Sequence, residues 1–311
     1  MRWNETGFPS SRPIRWLVGL LGDAVVPFAV AGITSNSVSY GPRPAGSPPF
    51  EIPQASDYVS LLQEHRIMAD PEERRAFIAE KAESLASSVG GRIPDDPDLL
   101  DEVTHLVEQP RPFLGEFEEK YLPLPTEVLV AVMKKHQRTF PMLDEKGEIL
   151  PYFVAVRNGG DAHLDVVRHG NEEVIRARFA DAEYFYEEDT RQPLEDFLPR
   201  LDTLTFQEEL GSVLDKVHRL EELVPELAPM LDLTPEETES AVRAAHLSKA
   251  DLATQMVVEH TSLQGVMGRE YALESGETPE VARAIYEHYL PRSAGDDLPE
   301  SKIGLTVGLA D

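Results

Sequence analysis

The sequence predicts an α+β protein, in which a mixed helix-and-strand part over residues 1–200 is followed by an all-helical part over residues 201–311. Three observations predict it. Short β-branched runs broken by proline and glycine corners fill the first part, apolar residues at helical spacing fill the second, and the texture changes from Asn171 onward. The proline-rich stretch Gly41 to Pro53 adds an expected sub-boundary near residue 55.

Taken in order, Ile14 to Leu21, the corner Gly22-Asp23 and Val25 to Ile33 read as two apolar strands around a tight turn. Asp70-Pro71-Glu72-Glu73 combines an N-cap acid, proline at the first helical position and glutamate at the third, so a helix is expected to run to about Ser88. Between Leu99 and Pro151 the sequence mixes a short helix, strands near Leu106 and Phe113, and a helix from Thr126 to His136. Asp144-Glu145-Lys146-Gly147 separates Thr139 to Leu143 from Ile149 to Arg157 as a hairpin. Ile175, Phe179, Ala182 and Tyr186 mark one helical stripe. Thr234-Pro235-Glu236-Glu237 repeats the capping signature and starts a helix expected to reach Met256, and Thr278-Pro279 starts another through Tyr289.

Composition bounds the chemistry. The 311 residues include no cysteine, which excludes disulfides, thiolate metal sites and a cysteine nucleophile and is compatible with the cytoplasm. Arg15 to Ile33 resembles a secretory leader, but Asp23 and Pro27 interrupt it, and no run reaches the ~20 apolar residues of a membrane span. Neither a phosphate-binding glycine loop nor a dinucleotide fingerprint occurs, so no catalytic residue is assigned and no amino-acid activation is expected of this chain alone.

A net charge of −27 repels a phosphate backbone at long range. The 29 basic residues are nevertheless gathered at Arg12 to Arg15, Arg74-Arg75, Lys134 to Arg138 and Arg176 to Arg178. Lys134-Lys135-His136-Gln137-Arg138 lies at the expected C-terminus of a helix, where cations suit both the helix dipole and a phosphate contact. Arg176 and Arg178, two apart on a helix, point in different directions, and one is expected to pair with Glu172, Glu173 or Asp181. His218, Lys249, Asp251, His288 and Asp311 are spread over the helical part. An HD-type metal centre needs an adjacent His-Asp pair, and His246-Leu247-Ser248-Lys249-Ala250-Asp251 lacks one, so no complete metal centre is expected.

Several segments, in order, resemble the bacterial glycyl-tRNA synthetase beta subunit. They are Met1 to Asn4, Arg12 to Leu17, Lys134 to Pro141, Gly170-Asn171-Glu172 with the helix Val174 to Asp189, Lys249 to Leu252, Leu263 to Gly268, and Glu287 to Arg292 with Gly295-Asp296. Two departures are Gly41-Pro42-Arg43-Pro44 for the family's Gly-His-Arg-Phe, and Glu259-His260 for its Glu-Phe.

The resemblance implies an internal piece of that subunit, lacking the family's N-terminal region and its anticodon-binding domain. It implies a first part similar to the insertion module of the phenylalanyl-tRNA synthetase beta subunit and a second part that is HD-like, with His218, Asp251, His288 and Asp311 at vestigial positions and no metal. The expected partners are tRNA and a catalytic alpha subunit in a heterotetramer, with ATP and magnesium used by that subunit, no cofactor bound by this chain, no membrane, and a cytoplasmic location. Phosphate contacts are expected from Arg12, Arg15, Lys134, Lys135, Arg138, Arg176 and Lys249. Two alternatives stand beside this reading: a metal-dependent HD-type phosphohydrolase and a pure assembly module for the catalytic subunit.

Overall fold

The structure is a computed structural model that describes every residue except His136. In chain order its elements are β1 (Leu20–Leu21), β2 (Ala24–Val25), β3 (Ala29–Val30), β4 (Ile33–Thr34), β5 (Val38–Tyr40), β6 (Pro49–Glu51), α1 (Tyr58–Glu64), α2 (Pro71–Ser88), α3 (Pro97–Leu106), β7 (Pro110–Glu116) and α4 (Thr126–Gln137). There follow β8 (Phe140–Leu143), β9 (Ile149–Asn158), α5 (Leu164–Asp189), β10 (Thr205–Gln207), β11 (Gly211–Ser212), α6 (Val213–Leu227), α7 (Pro235–Leu247), α8 (Gln255–Glu259), α9 (Val266–Glu274), α10 (Pro279–Glu287) and α11 (Lys302–Ala310). The α+β class is observed. The chain forms two compact units, Met1–Phe117 with Gln137–Glu173, and Glu118–His136 with Val174–Asp311.

In the first unit β7, β9 and β8 form an antiparallel sheet in the order β7-β9-β8, with Pro110 opposite Asn158 and Phe140 opposite Val154. The hairpin between β8 and β9 turns where expected: Asp144 Oδ1 accepts from the N–H groups of Lys146 and Glu148, and Gly147 takes a φ of 88°. Gly115 pairs with Phe153, and a Cβ there would lie 2.3 Å from the ring.

Helix α2 starts at its capped proline, with the Asp70 carboxylate accepting from Glu72 N–H at 2.8 Å. Its apolar face, Ile78, Ala82 and Ala86, joins Leu99 and Val103 of α3 with Phe140, Met142 and Val154 in one core. Arg74 departs from the expected basic patch. It is buried and donates to the carbonyls of Thr104 and Met68, tying helix ends together instead of meeting a partner molecule.

Two strand expectations are corrected. The apolar run 14–33 forms two short hairpins in place of two long strands: β1 pairs with β2 around Gly22-Asp23, and β3 pairs with β4 around Ala31-Gly32. Pro27 falls between them, where it can give no ladder N–H. Leu106 closes α3 and is not in a strand, because Asp96 accepts from Leu99 N–H and starts a helix upstream of it.

The second unit is helical apart from the small β10–β11 pair. Val128, Leu129, Val132 and Met133 of α4 are buried, as are Ile175, Phe179 and Ala182 of α5. Tyr121 packs on Phe179 with ring centroids 5.5 Å apart. Capping boxes open α6 (Ser212 with Asp215) and α7 (Thr234 with Glu237). Helix α7 stops at Leu247, short of the expected Met256, because Thr254 adopts extended backbone and caps the separate helix α8 through Val257 N–H. Among the described residues no helix is long and apolar enough to cross a membrane.

Candidate nucleic-acid interface and a buried ion cluster

Arg12 and Arg15 are exposed and make no ion pair among the described residues, and the same holds for Lys135 at the end of α4. The following chain holds Trp16 against Tyr40, with ring centroids 4.8 Å apart, and Val18 against Asn36, so the arginines precede a fixed segment. Lys134 is half-buried. Arg138 follows α4 with a φ of 50°, and its guanidinium pairs with Glu102 of α3 at 2.5 Å. Arg176 pairs with Glu118 at 3.6 Å while Arg178 faces Asp181 at 3.9 Å, so the two arginines diverge. Arg178 thus meets Asp181, one of the acids the sequence suggested, while Glu118, which also meets Arg176, lies far from α5 along the chain.

Lys249 must be withdrawn from this group. The residue is 5 % exposed, and its ammonium donates to Asp311 Oδ2 at 2.9 Å and to His288 Nε2 at 2.8 Å while lying 4.1 Å from the Tyr289 ring centroid. A buried amine with its donors spent cannot reach a phosphate.

What the sequence scattered, the fold gathers. Lys249 follows α7, His288 follows α10 and Asp311 follows α11, and Lys216 of α6 holds the second Asp311 oxygen at 2.9 Å. Asp311 thus sits between two ammonium groups. His288 Nδ1 donates to Ile285 O at 2.6 Å, which leaves Nε2 as the acceptor for Lys249 and fixes a neutral ring. Asp251, fully buried, accepts from Gly265 N–H at 2.6 Å and Gly268 N–H at 3.1 Å through Oδ2. Gly268 leaves that approach open, since a Cβ there would meet Ile285 at 2.7 Å and Asp251 at 3.1 Å.

The electrostatics follow from this burial. Desolvation lowers Lys249 against the opposing attraction of Asp311. Asp251 is pushed up to about 6 by desolvation, which outweighs its backbone hydrogen bonds and Lys249. His288 falls to about 3, first through burial and then through Lys249. Asp311 lies below its usual range, because the two lysines overcome the desolvation of its carboxylate.

His218 is not part of the cluster; it is exposed on α6. Lys216, which sequence reasoning missed, carries a readable signal. It shares the helical face of Val213, Val217 and Leu220, whereas His218 lies off that stripe. Among the described residues no group of three or more histidines, aspartates or glutamates is arranged to hold a metal. In the cluster the Asp311 oxygens face the ammonium groups of Lys216 and Lys249, and His288 Nε2 faces that same Lys249 ammonium, so cations built into the chain stand against the ligands a metal would need.

A family profile described as glycyl-tRNA synthetase beta subunit matches residues 1–311. The glycine–tRNA ligase beta subunit of Desulforamulus reducens is 47% identical over 311 residues, covering 100% of this chain and 45% of the relative. Those of Moorella thermoacetica and Acaryochloris marina are each 46% identical, again covering 100% of this chain and 45% and 44% of the relative. The chain belongs to the glycyl-tRNA synthetase beta subunit family. It spans about 45% of the length of the curated relatives it matches.

Proposed function

We propose that this chain is a tRNA-handling part of glycine–tRNA ligase, serving a separate alpha subunit that uses ATP and magnesium to activate glycine in the cytoplasm. Phosphates are neutralised by Arg12, Arg15, Lys134, Lys135, Arg138 and Arg176, so tRNA shape is read and base sequence is not. Residues 1–200 form a module similar to the phenylalanyl-tRNA synthetase beta-subunit insertion, and residues 201–311 an HD-like helical module in which the ions of Lys216, Lys249 and Asp311 take the place of a metal centre. The observation that carries this reading is family membership over the whole chain, together with exposed Arg12, Arg15 and Lys135 that no acid of the described chain neutralises. In so acidic a chain, unpaired exposed cations are the places where a polyanion can approach.

The test is a gel shift of the chain with a glycine tRNA transcript across a salt series. Binding should weaken steeply with salt, by about one unit of log–log slope per phosphate contact. Affinity indifferent to salt would remove the phosphate-contact reading.

A further inference from the structure

The first unit holds a concave site unrelated to the cations above. We propose that the cavity of about 380 Å³ bounded by Pro44, His65, Arg66, Gln109, Arg157 and Gly160 binds a phosphate group. Three side-chain donors converge there on the Gly159-Gly160 backbone. A point where a Cβ of Gly160 would sit lies 3.9 Å from both Arg66 Nη1 and Gln109 Nε2, and the corresponding point of Gly159 lies 3.6 Å from Arg157 Nε. Arg66, Gln109 and Arg157 thus line one cavity over the two glycines, and a phosphate lying in it can accept hydrogen bonds from all three side chains. The loop brings no side chain of its own to the cavity, because both positions are glycine, and Gly159 with a φ of 133° needs to be; the Pro44 ring closes in on it at 3.3 Å.

Arg66 supplies the second line of argument. It stands at the C′ position of α1 in a Schellman arrangement, with Ile67 N–H donating to Leu62 O and Arg66 N–H to Gln63 O, each at 2.8 Å. That position takes left-handed backbone, here a φ of 60°, which glycine adopts at least cost and a Cβ-bearing residue adopts under strain. The strain places a guanidinium over the cavity. Neither that guanidinium nor the Gln109 amide has a hydrogen bond or ion pair among the described residues, and the acid nearest the loop, Asp161, is already held by Arg111. Glu64, also on the rim, is exposed to solvent. Arg157 is fixed by its bond to Ala162 O at 2.6 Å, which leaves Nε toward the loop. His65, stacked on Phe50 at 3.9 Å, forms a rigid wall.

The ligand chemistry is a phosphate monoester or inorganic phosphate, and the inference does not require the tRNA reading. The experiment titrates the full chain with inorganic phosphate and with short oligoribonucleotides bearing either a 5′-phosphate or a 5′-hydroxyl. Saturable phosphate binding should weaken at least about tenfold in Arg66→Gly, equivalent to ~1.4 kcal/mol, while that variant's melting temperature stays equal or rises because the left-handed strain is relieved. Arg66→Lys, which keeps the charge but not the planar fork, should show an intermediate loss. Tighter binding of the 5′-phosphorylated oligonucleotide than of inorganic phosphate, lost in Arg66→Gly, identifies an RNA-borne phosphate; equal binding identifies a free one. Absence of saturable binding by any phosphate-bearing probe, or affinity unchanged in Arg66→Gly, overturns the proposal. Variants at Arg12 and Arg15 that abolish tRNA binding would leave it standing.

Discussion

Lys249 Nζ and Asp311 Oδ2 meet at 2.9 Å across 62 residues of sequence, and Lys216 holds the other oxygen of the same carboxylate at the same distance. The arrangement is asymmetric, one anion between two cations, and that asymmetry orders the consequences of removing each. Asp311→Ala strands the buried ammonium of Lys249 and the half-buried one of Lys216 and should cost ~3–5 kcal/mol. Lys249→Met leaves Asp311 paired with Lys216 and should cost clearly less, and the double variant should be more stable than the sum of the singles implies. Urea denaturation of the three variants checks the order; equal losses for the two single variants would contradict it.

A pH experiment separates Asp251 from His288. Asp251, raised to about 6 from 3.8, contributes stability that is complete below pH 3.8 and is lost as pH rises through 6. His288, depressed to about 3 from 6.5, contributes stability that is complete above pH 6.5 and is lost as pH falls toward 3. The two slopes oppose each other over nearly the same window, at ~1.4 kcal/mol per unit of pKa shift. Relative to the parent chain, Asp251→Asn should therefore gain stability as pH rises from about 4 to 6, and His288→Gln should lose it over the same range. Parallel pH profiles for both variants would show that neither group titrates as its surroundings dictate.

The sheet offers a packing test. Gly115→Ala places a Cβ against the Phe153 ring and should cost ~1–3 kcal/mol. Combining it with Phe153→Leu should return part of that loss, even though Phe153→Leu alone destabilises the core. Thermal melts of the single and double variants decide between steric conflict and a general weakness of β7.

Exposure predicts a contrast in RNA binding. Arg15→Gln should lower the salt slope for tRNA by about one unit, whereas Lys249→Met, with its ammonium already sealed, should leave that slope unaltered. Filter binding across salt concentrations makes the comparison, and a reduced slope in Lys249→Met would mean that the buried amine reaches the surface when RNA is present.

Local chemistry made much of the fold legible. Asp70-Pro71 and Thr278-Pro279 announced α2 and α10 because an N-cap and a first-turn proline act within four residues, and Asp144 to Gly147 announced the β8–β9 hairpin for the same reason. The break between α7 and α8 was hidden, since apolar spacing continues through Ala250 and Met256 while the decision rests on Thr254 and a distant aspartate. The ion cluster was half legible. Lys249, Asp251, His288 and Asp311 were picked out individually, but the partner of a buried charge depends on which helices meet, and no spacing rule carries that information. Read by itself, Lys249 is accordingly expected at the surface, where most lysines lie. The phosphate cavity escaped notice because its donors, Arg66, Gln109 and Arg157, belong to three unrelated segments.

The distant aspartate is Asp189, the last residue of α5, which is 2 % exposed and accepts from the N–H groups of Gln255 and Met256, each at 2.9 Å, and from the Tyr271 hydroxyl at 3.0 Å. Helix α8, Gln255–Glu259, is only 5 residues long, far below the length at which a helix nucleates by itself in water. Its first turn is therefore templated by a carboxylate nearly seventy positions upstream. The order expected from this is that α8 closes only after α5 has arrived, so hydrogen exchange at Val257 and Val258 should report the docking of a different helix and should quicken in Asp189→Ala.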